Sequence, residues 1–386
     1  MPPYLAGRVK ETQEFLKLLE QDTVLTNLIL TGLRGIGKTV LLETLKPLAI
    51  NAGWLWTGSN LSESTSVSED HLAMRILTDA SVITENIVIT EEEIRTIGFT
   101  STPSIKQNKM NLGFLLAMYG TRPGLVSDKL KYVLEFVWAH LKKTSVKGVV
   151  FAYDEAQNMS DHAQKDQYPL STLLDVFQSV QRQGIPFMLA LVGLPTLFPK
   201  LVESRTYAER MFRVISLTKL NETESKDAII KPIEDVKCPV KFDNTSTSLI
   251  TKHSGGYPYF IQFICREVYD IFLQQSSQGI KMSVPIQGII GKLDTDFFAG
   301  RWSKATDRQR DLLSAIATLD NANEEFTVAE IAEKVKEVLA KPMSPSHINQ
   351  MLQALIAEGL IYKNRYGKYS FAVPLLAEYI MRQKVD

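Results

Sequence analysis

Cysteine is almost missing: the 386 residues contain two, Cys238 and Cys265, and no Cys/His group stands at metal-ligand spacing. That excludes a disulfide framework and a zinc site, and the two thiols read as small buried hydrophobes. Long apolar runs are lacking too. The most hydrophobic stretch, PFMLALVGLPTLF (186–198), is too short for a bilayer and contains Gly and Pro. The opening residues, MPPYLAGRVKETQEFL, do not follow the charged-then-apolar pattern of a secretory leader. An excess of one charge is also absent, with Lys plus Arg at 43 and Asp plus Glu at 43, so any contact with a polyanion must be local. These absences lead to the expectation of a cytoplasmic protein that does not engage a membrane.

What is present is ordinary globular chemistry, 45% hydrophobic and 22% charged, in a chain longer than one core usually serves. Short β-rich runs bounded by turn residues recur at 27–31, 53–57, 147–153, 186–192 and 212–217. Between them lie helical patterns such as STLLDVFQSVQRQG (171–184), whose Leu173, Leu174, Phe177 and Val180 share one face. Strands apolar on both faces and separated by helices predict a covered parallel sheet, an α/β domain over residues 1–219. Residues 60–130 carry loop-like stretches around short helices, with no assignable role.

From Leu220 the strand signal fades. Asn221 with Glu224 fits a helix start, and SGGYPYFIQFICREVYDIFLQQ reads as a turn and a long amphipathic helix, so residues 220–300 form a small helical domain. In the third domain, 301–386, Thr306 with Gln309 and Thr327 with Glu330 fit capping boxes, and Ser344 before Pro345 fits a third helix start. Ile348, Met351, Leu352, Leu355 and Ile356 form one stripe of that third helix, leaving His347, Asn349, Gln350 and Gln353 outward. Two alternating strands follow about a turn at Asn364–Gly367. Three helices and a hairpin are the winged helix-turn-helix order.

The chemistry concentrates in GLRGIGKT (32–39), which satisfies G-x-x-x-x-G-K-[ST] with a strand before it and a helix after it. Gly32, Gly35 and Gly37 allow consecutive N–H groups to converge on an anion, and the helix beginning near Lys38 adds its positive end. The loop Gly32, Leu33, Arg34, Gly35, Ile36, Gly37, Lys38, Thr39 and Val40 is therefore the candidate contact for ATP. Lys38 would neutralise phosphate charge and Thr39 would ligate Mg²⁺. FAYDEAQ (151–157) ends an apolar strand with Asp154, which would hold the metal's water shell, and Glu155, which would activate water.

With these motifs the chain resembles the AAA+ class, in the branch that joins archaeal-type ATPases, origin-recognition-like initiators and STAND signalling ATPases. The resemblance implies a P-loop AAA+ parallel-sheet domain, a helical lid and a C-terminal winged helix. It implies an adenine-side segment, YLAGRVKETQEFLKLL, with Tyr4, Gly7 and Arg8 near the base or its entry. It implies a polar first sensor after the strand ending LVGLPTL; the usual Asn is missing, Thr196 is the substitute on offer, and Gly193 is not one. Of Arg205, Arg210 and Arg213, the resemblance points to Arg210 as acting across a homo-oligomer interface on the transition state. HSGGYPYFIQ is similar to a G-x-P element, in which Gly256 and Pro258 press on the nucleotide, with Arg266 as a second candidate contact.

Two readings result. In the first, an ATPase controls a winged helix that binds double-stranded DNA through residues 344–370, with Gln350 and Gln353 at bases and Lys363, Arg365 and Lys368 on phosphates. In the alternative, a STAND-like signalling or defence switch, the winged helix contacts protein and ATP drives assembly. A small-molecule kinase is a third reading, without an acceptor-site cluster to support it.

Overall fold

The structure, a computed structural model, describes residues 4–21, 23–89, 108–235, 238, 240–278, 283–365 and 367–383. The chain divides into two compact units. The sheet unit comprises Val9–Thr31 and Lys38–Ser216, and the C-terminal unit comprises Met1–Arg8, Gly32–Gly37 and Leu217–Asp386.

In chain order the sheet unit contains β1 (Asn27–Thr31), β2 (Trp54–Thr57), a two-residue antiparallel pair β3 (Val88–Ile89) and β4 (Asn108–Lys109), β5 (Gly148–Tyr153), β6 (Phe187–Gly193) and β7 (Phe212–Ser216). Five of them form one parallel sheet in the order β2-β5-β6-β1-β7, so β6 stands between β1 and β5. The expected strands are all present, displaced by a residue at most. Every residue of β1, β5 and β6 is buried, as a sheet covered on both faces requires.

Two buried amide side chains, Asn27 and Gln181, meet in this interior. The Asn27 amide donates to Gln181 Oε1 at 3.2 Å and to the Met211 carbonyl at 3.3 Å, and its oxygen accepts from Leu189 N–H at 2.7 Å and from the Gln181 amide at 2.8 Å. Gln181 also donates to the Phe187 carbonyl at 2.6 Å. This buried pair joins β1 to β6 and to helix Pro169–Arg182 with its hydrogen-bonding groups satisfied.

The stretch that had no assignable role supplies helices Glu69–Thr84, Leu112–Thr121 and Val126–Leu141. Leu72, Ile76, Leu77, Leu115, Met118, Leu130, Val133 and Val137 join the same apolar core as Phe151, Phe177 and Phe187. The middle one, LGFLLAMYGT, is apolar almost all round, so no periodicity marked it as a helix. Residues 90–107 of that stretch lie outside the described residues.

The C-terminal unit opens with helix Glu222–Asp235, where Asn221 and Glu224 exchange side-chain to backbone hydrogen bonds at 2.9 Å each. Helices Asn244–Ser254 and Pro258–Ser277 follow, and a continuous helical run, Ile286–Leu293, Asp294–Ala299 and Gly300–Trp302, passes through the position expected for the last domain boundary. Beyond it, both capping boxes form, at Thr306/Gln309 and Thr327/Glu330, and Ser344 caps helix Pro345–Ala357. Helices Asp307–Ala317 and Val328–Val338 precede it. Strand β8 (Phe326–Thr327) joins the hairpin β9 (Ile361–Arg365) and β10 (Lys368–Phe371) in the order β8-β10-β9. This is a winged helix-turn-helix: Ile348, Met351, Leu352 and Leu355 are buried, and His347, Asn349, Gln350 and Gln353 are exposed. The cysteines are free and half-buried; burial pushes the Cys265 thiol up to about 12. No helix among the described residues is long and apolar enough to cross a membrane.

Candidate active site

Sheet register brings the carboxyl ends of β1, β5 and β6 to one rim. Thr31 at the end of β1 pairs with Gly193 at the end of β6, and Tyr153 at the end of β5 pairs with Leu191. The carboxyl ends of parallel strands are where α/β folds place ligands. Asp154 is held there by its backbone: its N–H donates to the Ser59 carbonyl at 3.1 Å and its carbonyl accepts from Leu61 N–H at 2.9 Å.

The Asp154 side chain is 4% exposed and accepts the Thr39 hydroxyl at 2.6 Å and the Glu155 N–H at 2.7 Å. Thr39 lies in the first turn of helix Lys38–Asn51. Two residues 115 apart in sequence thus meet as an oxygen pair of the kind that holds Mg²⁺, which binds through few protein carboxylates and completes its shell with phosphate and water. Among the described residues no group of three or more His, Cys, Asp or Glu could hold a metal by itself.

Glu155 has φ 54° and ψ 32°, a left-handed conformation uncommon outside glycine, and its side chain is exposed. Backbone strain of this sort concentrates at functional positions. The Gln157 amide donates to Glu155 Oε2, and Gln157 Oε1 accepts from Leu194 N–H at 3.1 Å. The Lys200 ammonium donates to the Gln157 carbonyl at 2.8 Å; burial lowers that lysine's pKa, against the pull of Asp161 and Glu203. Gln157 was not singled out from sequence. The signal available was Gly193, a residue without a side chain where a polar one was expected. Thr196 precedes helix Leu197–Ser204 and makes no side-chain cap bond to it.

In the C-terminal unit, the loop glycines Gly35 and Gly37 have φ 76° and 91°, the conformation a converging row of N–H groups needs. Tyr259 N–H donates to the Gly35 carbonyl at 3.1 Å. Buried Arg8 donates to the carbonyls of Ile36 at 3.1 Å and Thr218 at 2.9 Å, so its guanidinium secures the loop backbone. The Lys231 ammonium stands 4.5 Å from the Tyr4 ring centre and donates to its hydroxyl at 3.0 Å.

The turn at Gly256 is tight. Leu220 N–H donates to the Gly256 carbonyl at 2.8 Å, and Pro258 opens helix Pro258–Ser277 at its first turn. Gly256 has φ 77°, and a Cβ there would stand 2.3 Å from the Leu220 carbonyl oxygen. Gly256→Ala is therefore expected to cost at least about 2 kcal/mol, read as a lowered urea midpoint with unchanged slope. A midpoint equal to that of the unmodified protein would show that this turn is not constrained. On the turn's other side, a Cβ at Gly255 would lie 2.9 Å from Leu375 Cδ2, and Leu375 itself has φ 58°. The turn thus touches the winged helix, and the helix it opens touches the glycine loop through Tyr259.

The three candidate arginines differ. Arg205 forms a two-bond pair with Asp175 at 3.0 and 2.7 Å, and Arg213 pairs with Glu14 at 3.0 Å. Arg210 is exposed and makes no ion pair among the described residues; it lines an open pocket of about 290 Å³ with Val24, Leu25 and Tyr207. It precedes β7, whose first residue Phe212 pairs with Asn27 at the start of β1. Arg210 is thus at the end of the sheet opposite Thr31, with roughly 13 Å of strand between them. On the wing, Lys363 is exposed and Lys368 half-buried, while the side chain of Arg365 lies outside the described residues.

Residues 295–380 match a domain family of unknown function, DUF8462. No curated protein matches the chain. Among solved structures, it is similar to the Aeropyrum pernix ORC2 protein in its ADPNP–ADP complexes at 14% identity, covering 100% of this chain and 97% of that one with a TM-score of 0.54. The ADP form of the same protein gives 15% identity, 100% and 97% coverage and a TM-score of 0.54. The Aeropyrum pernix ORC1 protein in complex with DNA gives 15% identity, 99% and 94% coverage and a TM-score of 0.47. The fold is that of an AAA+ protein: a parallel-sheet α/β domain, a helical region and a winged helix. Within that class, the fold is similar to that of the Aeropyrum pernix ORC2 protein along the whole chain.

Proposed function

We propose that the protein is an ATPase whose nucleotide state controls a DNA-binding winged helix. The observation that carries the nucleotide part is the Thr39–Asp154 hydrogen bond at 2.6 Å, with Thr39 closing in sequence a glycine motif of the required pattern. Backbone N–H groups of residues 32–39 and the Lys38 ammonium hold the β- and γ-phosphates. Thr39 and Asp154 hold Mg²⁺, which, when bound, offsets charge that develops on the phosphates. Glu155 orients and deprotonates the attacking water. The placement of Arg210 at the far end of its own β7–β1 pair favours a role toward the nucleotide of a neighbouring copy.

Tyr259 on Gly35 and Gly255 against Leu375 give the loop and the winged helix a common neighbour, the turn at Gly256. A loop filled by phosphate biases that turn, and the turn biases the winged helix. Gln350, Gln353, Lys363, Arg365 and Lys368 are the DNA-facing residues of this reading. Duplex titrations over a range of salt, with and without ATP and Mg²⁺, test it. Replacing Lys363, Arg365 and Lys368 together by Ala is expected to weaken binding and flatten the log–log salt slope by about 3. Binding insensitive to both the triple replacement and ATP would leave the winged helix as a protein-docking arm, the arrangement of a signalling switch.

A further inference from the structure

Gly193 leaves a gap at the end of β6, and the side chain that fills it comes from the short helical turn Ala156–Asn158 that follows the neighbouring strand β5. A Cβ on Gly193 would stand 2.6 Å from Gln157 Oε1 and 3.0 Å from Leu197 Cδ2. The two ends of the Gln157 amide have different duties. Leu194 N–H can only donate, so it takes the amide oxygen, at 3.1 Å, and the –NH₂ end is left facing Glu155 Oε2. The backbone beneath is pinned as well: Lys200 donates to the Gln157 carbonyl at 2.8 Å, and the Asn158 amide donates to the Leu61 carbonyl at 2.9 Å.

We infer that Gln157 is the positioning residue for Glu155, standing in for the polar side chain that β6 lacks. This rests on the ATPase reading above. A donor fixed to one carboxylate oxygen sets the plane of the carboxylate and leaves the other oxygen for water. Without it, Glu155 sits on an exposed turn with free side-chain rotation, and the fraction of time spent in the reactive orientation falls. The same amide ties the end of β6 to Glu155, so a shift of either element moves the general base.

The test compares the unmodified protein with Gln157→Ala, Gln157→Glu, Gly193→Asn and Gln157→Ala/Gly193→Asn. Each is measured for affinity toward a fluorescent ATP analogue, for turnover at saturating ATP and Mg²⁺, and for thermal melting. Gln157→Ala is expected to keep affinity within about threefold and to lose about 100-fold in kcat. Gln157→Glu keeps an acceptor for Leu194 N–H but sets a carboxylate against a carboxylate; it should show the same split, and it carries the test if the alanine variant does not fold. Gly193→Asn alone crowds Gln157 and lowers kcat. In the Gln157→Ala background it should raise kcat at least about tenfold, a reversal of sign that a merely structural glutamine would not produce. Gln157→Glu turning over at the unmodified rate, or no gain in the double variant, overturns the inference while leaving the ATPase reading intact. An unmodified protein that binds no ATP analogue removes the ATPase reading and this inference with it.

Discussion

Glu155→Gln protein is expected to bind ATP and Mg²⁺ with nearly unchanged affinity and to turn ATP over about 10²- to 10⁴-fold more slowly, the range that loss of a positioned base produces. The geometry separates the two effects. The Asp154 carboxylate, not that of Glu155, accepts the Thr39 hydroxyl, so the Thr39–Asp154 pair proposed to hold Mg²⁺ survives the substitution. Glu155 contributes its backbone N–H to Asp154 at 2.7 Å, and the variant retains that bond. The amide also preserves the size of the side chain on its left-handed turn. Single-turnover kinetics and titration calorimetry give the two numbers. Unchanged turnover would remove Glu155 from the mechanism, and lost affinity would mean that it binds rather than reacts. The same variant tests Arg210. An inactive Glu155→Gln protein mixed with an inactive Arg210→Ala protein should regain activity if the arginine of one copy serves the glutamate of another. No recovery, with both variants folded, would return Arg210 to the ordinary surface.

Lys38→Ala should fail at the earlier step. An ammonium against phosphate oxygens is a charge-assisted contact, and losing one partner of such a pair costs about 2–4 kcal/mol, or roughly 30- to 1000-fold in affinity. Calorimetry with ATP and Mg²⁺ reads this directly. The loss should exceed that of Thr39→Ala, which keeps the loop N–H groups and the ammonium. Equal affinity of Lys38→Ala and unmodified protein would mean that the loop holds no triphosphate.

Much of this architecture could be read from the chain because local signals and global fold agree. The five strands of the sheet are short apolar runs between turn residues, and a strand buried on both faces must look that way. The capping residues Thr306, Thr327 and Ser344 mark their helices because few other residues can satisfy a helix's first N–H groups. The meeting of Thr39 with Asp154 was legible through motif spacing, whereas its 2.6 Å geometry depends on strand order that no local pattern encodes. What escaped has physical reasons too. Helix Leu112–Thr121 turns Gly113, Ala117 and Gly120 to solvent, and with small residues where polar ones would mark the outer face it shows no period. Strand β8 is two residues long, below any pattern length. Gln157 escaped because its role depends on an absent side chain one strand away, at Gly193.

The amide pair Asn27–Gln181 bears on how reliably this rim assembles. Strands buried along their entire length, and apolar but for Asn27 and Thr31 in β1, offer little alternation by which one could detect that its neighbour had slid by two positions, since such a slide exchanges one hydrocarbon surface for another. Sliding β6 past β1 would strand the Asn27 and Gln181 amides away from Leu189 N–H and the Phe187 carbonyl, stripped of water and without partners. It would also carry Gly193 about 7 Å along the sheet. The two amides therefore act as an alignment key, fixing at one edge of the sheet the ångström-scale placement that chemistry demands at the other.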